Sequence, residues 1–160
     1  MNKIAIYPGT FDPITLGHID IIERLCKMFN KIIVAIGINS NKQCLFNKEE
    51  RLDMIQHSLE HLNNIEVIIS DGLMVDVAKK YGAKAIIRGL RAVSDFDYEF
   101  QLALTNRKMR NDIDTIFMLP DEKYTYLSST IVRELAMYNE DLTYFVSDYV
   151  ANKLKEKFKL

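Results

Sequence analysis

Lys31-Ile32-Ile33-Val34-Ala35-Ile36-Gly37-Ile38 is the stretch from which the fold of this chain is read. A strand with one wet face alternates apolar and polar residues, whereas an unbroken β-branched run of this kind is covered on both faces, as in the middle of a parallel sheet. Working outward, Lys3 to Tyr7 reads as a first strand, and Gly17 to about Asn30 as a helix with Ile19, Ile22, Leu25, Cys26 and Phe29 at helical spacing. Between them, Pro8-Gly9-Thr10-Phe11-Asp12-Pro13 is expected to be loop, because proline removes ladder donors and glycine invites a turn. Downstream, Asn47 with Glu50 reads as a capping box opening a helix whose stripe is Leu52, Ile55, Leu59 and Leu62. Ile65 to Ile69 is a third strand, followed by a helix with Met74, Val77, Ala78 and Tyr81 that Gly82 closes. Ala83 to Arg88 is a fourth strand, Ser94 to Arg110 a long helix and Ile113 to Leu119 a fifth strand. Two further helices, one capped by Ser128-Ser129-Thr130 and one carrying Phe145, Val146, Tyr149, Val150, Leu154 and Phe158 on one face, complete the chain. Strands alternating with helices specify an α/β fold with a parallel sheet.

The 160 residues fit one domain, 1–160, without repeat or linker. Lysine and arginine number 21 against 22 acidic residues, so the net charge of −1 provides no global field toward nucleic acid or an anionic membrane, and any anion site must be local. The longest apolar run is far shorter than the ~20 residues of a membrane-crossing helix. Met1 to Tyr7 lacks the apolar core of a secretion signal, so a cytoplasmic location is expected. Cys26 and Cys44 show neither metal nor redox spacing.

Parallel α/β sheets bind ligands beyond the carboxyl ends of their strands, where the strand order reverses. That rule selects Pro8 to His18, Asn39 to Lys42, Arg88 to Arg91 and Tyr124 to Thr130. No Walker-type G-x-x-x-x-G-K-[ST] and no G-x-G-x-x-G is present, which disfavours P-loop kinases and dinucleotide-dependent oxidoreductases. Instead His18 stands in the first turn of a helix whose free N–H groups suit a phosphate.

Thr15-Leu16-Gly17-His18 matches the T-x-G-H signature of nucleotidyltransferases, related to the H-x-G-H of class I aminoacyl-tRNA synthetases. With its flanks from Tyr7 to Asp20, with Arg88-Gly89-Leu90-Arg91, Asp97-Tyr98-Glu99, Gln101-Leu102-Ala103, Asn106-Arg107 and Ser128-Ser129-Thr130, the chain resembles the bacterial phosphopantetheine adenylyltransferase family over almost its whole length. The resemblance implies a Rossmann-like five-stranded parallel sheet of order 3-2-1-4-5, helices on both faces, and C-terminal helices. It implies adenylyl transfer from ATP to 4′-phosphopantetheine, giving dephospho-coenzyme A and pyrophosphate. Mg²⁺ would be held mainly by substrate phosphates, no protein metal ligands being expected. It further implies inhibition by coenzyme A and a homohexamer. Neither nucleic acid nor membrane is expected as a partner.

By the same resemblance His18 stabilises the transition state, helped by Lys42, Thr10 and Arg91. The nucleotide falls to Thr10, Phe11, His18, Gly89, Leu90, Arg91, Glu99 and the segment Tyr124, Thr125, Tyr126, Leu127, Ser128, Ser129 and Thr130; the acceptor falls to Thr10, Lys42, Met74, Arg88, Tyr98 and Asn106. Competing readings stay open for some of these. Arg91 could pair with Asp95 or Asp97, Glu99 could orient a neighbouring cation or be a solvated helix residue, and Met74 could be core. His57 and His61 are read as solvated rather than metal-binding, and the lysines of the last helix as flanking a packed face rather than a membrane surface. Another phosphorylated acceptor, or a module that binds nucleotide without turnover, are the alternative functions.

Overall fold

The computed structural model describes residues 3–91 and 93–160. Met1 and Asn2, part of the stretch read above for a secretion signal, lie outside the described residues. The elements are β1 (Ile4–Gly9), α1 (Leu16–Met28), β2 (Lys31–Gly37), α2 (Lys48–Ser58), β3 (Ile65–Ser70), α3 (Met74–Lys80), β4 (Ala85–Gly89), α4 (Val93–Met109), β5 (Asp114–Met118), α5 (Ser129–Met137) and α6 (Asp148–Phe158), with a short 3-10 turn at Glu122–Tyr124. The five strands form one sheet in the order β3-β2-β1-β4-β5, every pairing parallel. The α/β class and the strand order expected from the sequence are those observed.

β2 lies inside the sheet, and Ile32, Ile33, Val34, Ala35 and Ile36 are all 0% exposed. Successive residues feed two separate cores, as strand geometry requires. Ala5, Tyr7, Ile32, Val34 and Ile36 pack with Ile22 and Leu25 of α1, Ile55 of α2 and Val150 and Leu154 of α6. Ile6, Ile33 and Ala35 pack instead with Val75, Val77 and Ala78 of α3. Helices therefore cover both faces, and the last helix is docked on the domain by its apolar stripe.

Local signals explain most element ends. Asn47 and Glu50 form a reciprocal capping box at 2.8 Å each way. Ser128 caps α5 through the N–H of Ile131, and Ser147 caps α6 through that of Val150. Gly82 takes φ +68° just past α3, where a side chain would be strained.

α2 ends at Ser58 with Leu59 as its C-cap, so Leu62, read on its stripe, lies beyond it. A second expectation is corrected at β1. Pro8 and Gly9 belong to β1 rather than to the following loop. β1 pairs with β2 as far as Gly9↔Ile36, but with β4 only at Ala5↔Ala85 and Ile6↔Ile86. Pro8 thus sits in the middle strand of the sheet yet has a paired neighbour on one side only, so its missing N–H breaks no ladder on the β4 side. Beyond Ile6 the sheet opens between β1 and β4. That gap coincides with the reversal of strand order.

Candidate active site

The gap opens into a cleft of about 720 Å³ lined by the ends of β1, β2 and β4, the start of α1 and the start of α5. Of the residues expected in the site, Thr10, Phe11, His18, Lys42, Met74, Arg88, Gly89, Arg91, Glu99, Tyr124, Leu127, Ser128, Ser129 and Thr130 line it. Leu90, Tyr98, Asn106, Thr125 and Tyr126 do not. Tyr98 and Tyr126 are exposed, while Asn106 is buried on the α4 face it shares with Glu99, seven residues away.

His18 is placed by the helix it helps to start. The Thr15 side chain accepts the His18 N–H, and His18 Nδ1 accepts the Thr15 N–H at 3.0 Å, so the imidazole closes a capping box in the place usually held by glutamate. An Nδ1 that accepts leaves the proton on Nε2. The ring stands edge-on to Phe11 with centroids 5.0 Å apart. Removal from water, followed by the positive charge of Arg91, lowers its pKa from the ordinary 6.5 to about 4. At neutral pH His18 is an uncharged Nε2–H donor.

Gly17 beside it belongs to the same packing: a Cβ there would come within 3.4 Å of the Tyr124 side chain. The left-handed φ of 50° at Phe11, which glycine favours and phenylalanine seldom adopts, turns its ring inward until it is 2% exposed. The turn that follows is held by ionic side chains. Arg51 of α2 is 5% exposed and donates to the Thr10 carbonyl at 2.8 Å; Arg133 of α5 donates to the Asp12 carbonyl. Ser129 ties α5 to the same turn through the Pro13 carbonyl at 2.7 Å.

Across the cleft, Arg88 at the end of β4 is gripped by Glu99 of α4 through two bonds of 2.6 and 2.7 Å. Glu99 is 8% exposed, and the pairing holds the Arg88 guanidinium pKa above its ordinary value despite its burial. Glu99 is therefore not a solvated helix residue; both its oxygens hold a neighbouring cation, one of the roles open to it from the sequence. Arg91 lies 3.7 Å from Asp95, both on the cleft wall. Lys42 is exposed on the loop after β2.

Sequence reasoning missed Asp12, Arg51 and Arg133. Asp12 and Arg51 are charged residues with only 4% and 5% exposure, a property that depends on tertiary packing. A signal did exist for Arg133, which follows Ser129 by one helical turn on the same N-terminal segment. His57 and His61 are exposed and sit away from the cleft, His57 stacked on Tyr149 and His61 bonded to Glu23. Among the described residues no three His, Cys, Asp or Glu converge as a metal site.

A cytidylyltransferase-like family model matches residues 6–135. The phosphopantetheine adenylyltransferase of Dictyoglomus thermophilum is 53% identical over 154 residues, covering 96% of this chain and 94% of the relative. That of Caldanaerobacter subterraneus subsp. tengcongensis is 50% identical over 157 residues, covering 98% of each. Among solved structures, Plasmodium falciparum nicotinic acid mononucleotide adenylyltransferase complexed with NaAD matches with a TM-score of 0.71 at 16% identity, over 100% of this chain and 97% of that one. At that identity the match speaks for the fold alone, whereas the near-complete coverage at half identity speaks for kinship. The chain belongs to the cytidylyltransferase-like family and, within it, groups with the phosphopantetheine adenylyltransferases.

Proposed function

We propose that this protein transfers the adenylyl group of ATP to 4′-phosphopantetheine, releasing pyrophosphate and forming dephospho-coenzyme A, a step of coenzyme A synthesis. The observation that carries the reading is the Nε2–H donor of His18 at the start of α1, in one cleft with Lys42, Arg88, Arg91 and the N-terminus of α5. The nature of the acceptor rests on the kinship with the phosphopantetheine adenylyltransferases.

The acceptor phosphate oxygen attacks the α-phosphorus in line, and the bond to the bridging oxygen of pyrophosphate breaks. Two anions must be brought together; even single charges 4 Å apart repel by ~4 kcal/mol at an effective dielectric of about 20. Lys42 and Arg88 offset the acceptor's charge, and Thr10 orients it. His18 donates to the α-phosphate oxygens as charge builds there, a bond of most value in the transition state. An imidazolium is not required, since burial beside Arg91 keeps the ring neutral. Arg91, the Ser128 hydroxyl and the backbone N–H groups at the start of α5, that of Ser129 included, would bind the leaving phosphates.

The donor set fits a Mg²⁺ ion that arrives on the nucleotide rather than one caged by the protein. The one buried carboxylate of the turn, Asp12, is already occupied by the backbone N–H groups of Leu45 and Phe46. Bound to the triphosphate, the ion would supply neutralisation of the leaving pyrophosphate. A homohexamer, a cytoplasmic location and inhibition by coenzyme A complete the reading. Light scattering and inhibition kinetics test the first and last.

The deciding experiment measures pyrophosphate release from ATP with phosphopantetheine beside nicotinamide mononucleotide and glycerol phosphate. Release with phosphopantetheine alone is expected. Release only with another acceptor would overturn the substrate, and release with none would favour a nucleotide-binding module.

A further inference from the structure

Asp12 presents an unusual combination: a carboxylate 4% exposed, on the wall of the cleft, that makes no contact a reacting group would need. Its two oxygens instead accept successive backbone N–H groups of another loop, Oδ2 from Leu45 at 2.8 Å and Oδ1 from Phe46 at 2.9 Å. These two amides end the loop after β2, the loop that carries Lys42. Upstream of them β2 stops at half-buried Gly37 and residues 38–43 are all exposed; downstream, Phe46 is 2% exposed in the core. The Asp12 carboxylate therefore marks the point where an open loop is made fast to the fold.

The turn to which it is fastened is itself rigid. Arg51 holds the Thr10 carbonyl at 2.8 Å, and Arg133 donates to the Asp12 carbonyl while its Nη1 lies 3.6 Å from Oδ2. Thr10 on this turn and Lys42 on the loop are both assigned, with Arg88, to the acceptor phosphate. A long lysine on an otherwise exposed loop gives little catalysis unless its base is fixed relative to the group it serves, because misplacement by about 1 Å can cost on the order of 10²-fold.

We propose that Asp12 is a positioning residue for acceptor binding: by chelating the Leu45 and Phe46 amides it fixes the Lys42 loop against the Thr10 turn, so that both meet one phosphate. The proposal rests on the adenylyl-transfer reading of this cleft and adds to it a residue with no expected contact to either substrate.

Asp12→Asn keeps the shape but sets an amide nitrogen against one of the two N–H donors. The expected result is a rise of about 10-fold or more in KM for phosphopantetheine, the size of losing one charge-assisted bond, with KM for ATP changed less than about twofold. A merely structural role would move both. In a Lys42→Ala background the same substitution should add less than about twofold, because its effect passes through Lys42. Equal losses toward both substrates, or full multiplication of the two single effects, would overturn the proposal. Should Asp12→Asn fail to fold, hydrogen exchange on the unaltered protein decides. Leu45 and Phe46 amides should be protected while those of Asn39, Ser40 and Gln43 exchange freely, and fast exchange at 45 and 46 would end the idea. An unaltered protein that turns over no acceptor, yet protects those two amides, would refute the functional reading and leave the tether standing.

Discussion

The ring of Phe11 occupies the space where any side chain on Gly9 would begin: a Cβ built on Gly9 would lie 2.8 Å from the ring's Cζ. Gly9 ends β1, and Phe11 in turn abuts the imidazole of His18. The pair transmits the geometry of the middle strand to the histidine. Gly9→Ala must push the ring toward His18, with an expected loss of ~1–3 kcal/mol in urea unfolding and at least about 10-fold in kcat. Adding Phe11→Leu should recover part of the stability. No recovery would mean that the strain lies elsewhere.

His18→Ala removes the donor and half of the capping box. Turnover should fall by about 10²- to 10³-fold, with ATP binding, measured by calorimetry, little changed. Stability should drop by only ~1 kcal/mol, the usual scale of a lost cap. A rate within a few-fold of the parent would remove His18 from the chemistry.

The pH dependence separates a neutral from a charged histidine. Between the ordinary value of 6.5 and the folded value of about 4, the unfolded chain binds a proton that the folded chain does not. Stability contributed by this residue is therefore complete above pH 6.5 and declines as the pH falls, by roughly 2–3 kcal/mol at pH 4, the opening of the ring to the cleft keeping it at that level. His18→Asn, which retains an acceptor for the Thr15 N–H, should flatten that part of the curve in urea titrations at pH 7 and pH 4. Followed by NMR in the free protein, the His18 imidazole should show no titration near 6.5. A titration there would show that the imidazole keeps its solution basicity.

Glu99→Gln tests the grip on Arg88. Loss of the charge leaves a guanidinium half-satisfied; because Arg88 keeps 26% side-chain exposure, about 2 kcal/mol is expected rather than the 3–5 of a fully buried pair. KM for phosphopantetheine should rise by about 10-fold, and KM for ATP by much less. The reverse pattern would give Glu99 the nucleotide contact that the family resemblance implies.

Much of this was legible along the chain. β2 announced itself by uninterrupted branched residues, α2 by Asn47 and Glu50, the end of α3 by Gly82, and His18 by its place in a signature beginning a helix. Each is a local rule, in which neighbours in sequence are neighbours in space. Boundaries were less exact where two rules competed. Pro8 argued for a loop, yet it belongs to β1 because the sheet parts on its β4 side. Tyr98, which carried the resemblance, and Tyr126, assigned to the nucleotide by it, are exposed and do not line the cleft.

The sequence by itself determined the parallel α/β class, the order of elements, the strand ends at which to look and the cations waiting there. Only the tertiary structure decided what those residues hold. That Arg88 is gripped by Glu99, that Arg51 serves the Thr10 carbonyl and that Asp12 fastens a loop thirty-odd residues away are pairings across separate elements. Periodicity reports which face of a helix or strand is buried, but a buried charge is tolerated only with a partner, and partners are brought together by the sheet.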